Sequence, residues 1–187
     1  MKKSGTKILT LLVATIFSLY GCSGKNSDHA EGGAAEDASG QELASPLRTS
    51  EGKIGDVEVN IQYGSPSVRE RVIWGGLEPY DEVWRTGANE ATFVEFSDDV
   101  TVEGKELEAG KYSLFTIPRE NGPWVVIFNS EWDLEHGHYQ YKESNDVLRV
   151  EVEPQWEASS QESLSVTVED EGIVVRWEKL KLPIQVN

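Results

Sequence analysis

Between residues 50 and 187 apolar and polar side chains alternate with a period of two. The pattern recurs at Val57, Val59, Ile61 and Tyr63; at Tyr112, Leu114 and Phe115 leading to Ile117; at Val147, Leu148, Val150 and Val152; at Leu164, Val166 and Val168; and at Val174, Val175 and Trp177. Successive side chains of a strand point to opposite faces, so this spacing predicts half-buried strands. Turn signals separate them at Glu103-Gly104, Ala109-Gly110, Asn121-Gly122-Pro123 and Glu169 to Gly172. No window of a dozen residues sustains a helical period. Strands joined by close turns, without crossover helices, pack as two sheets face to face; the chain is expected to be all-β, an antiparallel β-sandwich of about eight or nine strands. Val100 to Glu103, Lys105 to Leu107 and Lys111 to Ile117 read as a meander, with Gly110 at the bend.

One stretch breaks the pattern. Gly64 to Thr92 holds Trp74, Tyr80, Trp84, three arginines and two prolines in a connection far longer than the usual four to six residues or so. Long loops in small domains are often functional. Within it Trp84, Arg85, Thr86, Asn89 and Glu90 set a planar cation, a hydroxyl, an amide and a carboxylate beside an apolar wall. Two readings of this set stand. In one, these residues with Trp74 and Tyr80 orient a small polar ligand; in the other, Arg85 and Glu90 form a structural ion pair, Asn89 caps turn amides and the tryptophans fill core.

The N-terminus follows other rules. Lys2, Lys3 and Lys7 precede an apolar run from Ile8 to Leu19, and Gly21 stands before Cys22, the only cysteine. The run is short of the roughly 20 apolar residues of a membrane span, so residues 1–21 are expected to be a signal peptide. The segment resembles a lipobox, which implies cleavage before Cys22, a diacylglycerol thioether on its sulfur and a further acyl chain such as palmitate on its amine. Anchoring of this kind makes the membrane a partner and leaves no thiol for disulfide or nucleophile chemistry. Ser23 follows in place of aspartate, which in similar lipoproteins implies the periplasmic leaflet of the outer membrane, with surface display as the other arrangement. Residues 22–48, poor in large apolar side chains, read as a tether of root-mean-square reach roughly 30 Å, and residues 49–187 as the single folded domain.

Charge narrows the partners. The chain carries 17 Lys and Arg against 33 Asp and Glu, a formal charge of −16, and loss of Lys2, Lys3 and Lys7 with residues 1–21 takes this to about −19. Such a surface repels phosphates, so nucleic acid is not an expected partner; an unidentified small molecule or envelope protein is. No cofactor motif is present. Glu135, His136 and His138 are a second candidate set, since histidines two apart on a strand share one face and imidazole with carboxylate suits zinc. A third histidine is missing from their neighbourhood. No Gly-x-Ser-x-Gly elbow, phosphate-cradling loop or His-Glu-x-x-His helix occurs. A hydrolase acting on an envelope carbohydrate or related polymer is the other functional class, with Glu90 and a second acid such as Asp81 or Glu82 as its carboxylate pair.

Ser65-Pro66, Arg71, Ile73-Trp74-Gly75-Gly76-Leu77, Pro79-Tyr80, Val83-Trp84-Arg85-Thr86-Gly87-Ala88-Asn89-Glu90-Ala91-Thr92, Ala109-Gly110-Lys111-Tyr112 and Phe115-Thr116-Ile117-Pro118 resemble the bacterial domain of unknown function 2911 family. Asp146-Val147-Leu148-Arg149-Val150 fits as well, and the likeness runs from about residue 47 to residue 187. It implies a bacterial, commonly exported domain with no assigned reaction.

Overall fold

The computed structural model describes residues 44–187. Among these, the strands are β1 (Leu47–Ile54), β2 (Val57–Gly64), β3 (Phe93–Phe96), β4 (Val100–Val102), β5 (Lys105–Leu107), β6 (Gly110–Ile117), β7 (Trp124–Asn129), β8 (Asp146–Val152), β9 (Gln155–Glu169) and β10 (Gly172–Gln185). Helical structure among the described residues is confined to two short 3-10 turns, Gly137–Gln140 and Glu143–Asn145. The fold is an all-β antiparallel sandwich, as the alternation predicts.

One layer is a six-stranded sheet in the order β1-β2-β3-β6-β7-β8. The other is built on the long β9–β10 hairpin. At its β10 end, the Thr101 N–H donates to the Asn187 carbonyl (2.7 Å) and the Glu103 N–H to the Gln185 carbonyl (3.0 Å), which adds the β4–β5 hairpin. Beside β9, the Val68 N–H donates to the Glu162 carbonyl (2.8 Å) and the Leu164 N–H to the Pro66 carbonyl (2.9 Å), so the start of the long loop acts as a further edge.

Alternate positions meet between the layers. Ile61, Val94, Leu114, Val126 and Phe128 of the sheet pack against Leu164, Val166, Val175, Trp177 and Leu182 of the hairpin. Phe115, Ile117 and Ile127 point the other way, into a smaller core with Ala91 and Leu134. Burial on both faces accounts for the apolar run of β7, and for the burial of Ser113 and Thr116 on β6 alongside its apolar side chains. Each fully buried large side chain contributes roughly 1.5–3 kcal/mol.

Four tryptophans from separate segments close one end of the main core. Trp74 meets Trp84, Trp124 and Trp177 edge-on at 5.5, 4.8 and 5.8 Å between centroids, and Trp84 stacks on Trp177 at 5.8 Å. The Glu103-Gly104 turn holds φ of 48° and 75°, the two positive values a tight hairpin of that twist requires.

Two expectations change. The strand number is ten among the described residues, above the expected eight or nine, because β1 exposes polar side chains and buries only Ile54 fully. The domain also begins before residue 49: Leu47 and Arg48 lie in β1, and the Pro46 carbonyl accepts from the Ser65 N–H (2.9 Å). The expected signal peptide, Cys22 and the rest of the tether lie outside the described residues.

Candidate functional site

The long loop connects β2 to β3 through residues 65–92. Its path is fixed at both ends and in the middle. Trp84 takes the place of a strand beside β6: its N–H donates to the Thr116 carbonyl (2.7 Å), and the Thr116 N–H donates back (2.9 Å). Thr86, fully buried with φ 53°, sits beside Thr116 through their hydroxyls (3.3 Å), and the Thr92 hydroxyl donates to the Thr86 carbonyl (2.9 Å). Asn89 Nδ2 donates to the Ser45 carbonyl (3.2 Å), tying the loop to the first residues of the domain.

These contacts sort the expected site residues. Thr86 and Asn89 are structural. Trp84 is core, 3% exposed, with its indole N–H on the Gly87 carbonyl (3.3 Å). Tyr80 lies on Gly75, whose missing Cβ would stand 2.6 Å from the ring. Glu90 is exposed, and no ion pair joins it to Arg85 among the described residues, so the structural pairing of those two is not formed. Asp81 pairs instead with Arg119.

Arg85 is half-buried and opens on a cavity of about 530 Å³. Its Nη1 donates to the Asn89 carbonyl, and its guanidinium lies 5.9 Å from the Tyr139 ring centre. Gly137 (φ 51°) makes this possible, since a Cβ there would stand 2.5 Å from Arg85 Cδ. The cavity is walled by Pro66, Leu77, Val83, Trp84 and Trp177, and its charged and imidazole side chains are Arg71, Glu78, Glu82, Arg85 and His138, with the hydroxyls of Ser45 and Tyr139 beside them.

Glu78 is the residue that periodicity does not find. Burial pushes its carboxyl up to about 7, against the lowering effect of the Arg85 and Arg71 charges. The signal for it in sequence is slight: an acid enclosed by Leu77 and Pro79 in an otherwise apolar part of the loop. Arg71 is anchored through Nε to the Val68 carbonyl (3.0 Å) and Nη2 to the Ser67 carbonyl (2.5 Å).

The histidines do not share a strand face. They flank Gly137 at the start of a 3-10 turn, with His136 exposed and His138 turned inward, its Nδ1 buried without a partner. Burial first, and then the Arg85 charge, lower the His138 pKa, so its ring is neutral at pH 7. No group of three or more His, Cys, Asp or Glu stands close enough to hold a metal among the described residues. His138 thus joins the Arg85 cavity rather than a site of its own.

The family model described as "Protein of unknown function (DUF2911)" matches residues 45–186. No curated protein and no solved structure matches the chain.

Proposed function

The chain belongs to this family of unknown function, whose description assigns no activity, and we propose from the site itself that the domain is a small-molecule binding module of the cell envelope, lipid-anchored through Cys22. The observation that carries the binding reading is the cavity: about 530 Å³, within the ordinary range for small-molecule sites, with convergent polar groups set against apolar side chains. A binding role fits a site whose charged groups number two arginines and two acids set beside apolar side chains. The anchor is supported by the charged start, apolar run and Gly21-Cys22. Its place is the periplasmic leaflet of the outer membrane.

Thermal-shift screening of a metabolite and glycan panel tests this. A compound that raises the melting temperature of the unaltered protein and not of Arg85→Ala places the site in the cavity; a panel without such a compound counts against it.

A hydrolase is the second reading, and it rests on Glu78 and Glu82 lining one cavity with Glu78 desolvated. Release of nitrophenol from chromogenic glycosides, lost in Glu78→Gln, would replace the binding reading.

A further inference from the structure

The polar groups of the cavity are out of balance in a way that specifies a ligand. The chain has 33 acids for 17 lysines and arginines, so an arginine without a carboxylate partner needs a reason. Arg119, Arg149 and Arg176 have one, and Arg69, whose side chain has none among the described residues, is exposed and lines no such space. Arg71 and Arg85, which line one cavity, make no ion pair among the described residues; their bonds go to backbone carbonyls and leave guanidinium N–H groups unused.

Behind them the cavity wall is tightly closed. Trp177 lines the cavity and is fully buried, and Trp74 packs edge-on against its ring, so the groups a ligand meets are the two guanidiniums and not the enclosed indole nitrogens. A guanidinium only donates, so its unmet demand is for an acceptor. Leu77, Val83 and Trp84 line the same space and offer contact to an apolar body.

We propose that the ligand of this cavity is a small organic monocarboxylate with a ring or aliphatic body, its oxygens accepting from Arg85 and Arg71. The proposal rests on the small-molecule reading and names the ligand class for it. A single negative charge fits better than a phosphate because Glu82 lines the same space and offsets one arginine. The groups facing Glu78 are Arg71 and Arg85, with Glu82, His138 and Tyr139 across the cavity. A bound carboxylate adds a negative charge beside Glu78, so Glu78 is held protonated in the complex. Since free Glu78 titrates at about 7, binding above that pH takes up a proton, and affinity falls as pH rises.

Titration calorimetry of the full chain in detergent, with benzoate, phenylacetate and indole-3-acetate set against their amides, the matching amines and inorganic phosphate, tests this. At least one carboxylate is expected to bind tenfold or more tightly than its amide. Its affinity is expected to drop about tenfold from pH 6 to pH 8, with binding retained and the slope abolished in Glu78→Gln. Arg85→Ala is expected to lose binding. Arg71→Gln, at an exposed side chain outside the core, guards against a folding artefact and is expected to weaken binding severalfold with the melting temperature monitored alongside. An amide, amine or phosphate that binds as well as the acid, with dependence on Arg85, overturns the ligand class and leaves the small-molecule site standing. A panel in which no member binds overturns both.

Discussion

Glu78 costs free energy when charged in the folded domain, because burial removes water that the flanking arginines do not replace. Its carboxyl titrates near 4.5 when unfolded and about 7 when folded. The stability of the protonated form is therefore fully present below pH 4.5 and is lost as pH rises through about 7. The interval corresponds to about 3 kcal/mol. Glu78→Gln is expected to be more stable than the unaltered protein by up to about 3 kcal/mol at pH 8 and nearly equal to it at pH 4.5, measured by urea denaturation. His138 acts in the opposite sense, with stability lost as pH falls below 6.5, but it is common to both proteins and cancels in the difference. A difference that does not change with pH would remove Glu78 from the account.

At the scale of elements, the connection from β7 to β8 decides whether the cavity has a second wall. Asn129, 1% exposed, holds it: Nδ2 donates to Asp146 Oδ1 (2.7 Å) and to the Lys142 carbonyl (3.0 Å), while Oδ1 accepts from the Glu131 N–H (3.0 Å). Asp146 is in turn bound by the Tyr141 hydroxyl (2.7 Å) and Arg149 Nε (2.6 Å), and burial together with Asp146 pushes the Tyr141 phenol up to about 12. Asn129→Ala leaves these partners unmet and is expected to cost roughly 2–4 kcal/mol in denaturant unfolding. It is also expected to weaken cavity binding, because residues 130–145 carry His138 and Tyr139 to Arg85. Such coupling marks what sequence could show and what it could not. Alternation exposed β2, β6, β8, β9 and β10, since each sorts its apolar side chains by face; β1 stayed hidden because its side chains are mostly polar. The long loop was legible as an interruption, and so was Arg85. Glu78 and Trp177 were not legible as partners of Arg85, because burial and a missing hydrogen-bond partner belong to three-dimensional packing that brings residues 78, 85, 138 and 177 together.

At the scale of the whole molecule, surface charge and the proposed anchor act against each other. A chain of formal charge −16, nearer −19 without residues 1–21, is repelled by anionic head groups, so its surface charge supplies no hold on a membrane. On the proposed reading, stable attachment comes from acyl chains, each buried methylene contributing roughly 0.8 kcal/mol and a single chain giving only reversible binding. Cys22 is the only residue of the chain that can take the thioether. Cys22→Ser is therefore expected to move the protein almost wholly from the membrane pellet to the soluble envelope fraction, in low and high salt alike. Salt is the informative variable: attachment through surface charge would weaken as salt rises, whereas attachment through lipid would not. The melting temperature of the soluble variant is expected to match that of the parent, since the described core from Leu47 to Val186 contains no cysteine. A Cys22→Ser protein that stays in the pellet after a high-salt wash would mean that an apolar surface, such as the one around exposed Trp156, holds the membrane or a membrane protein instead.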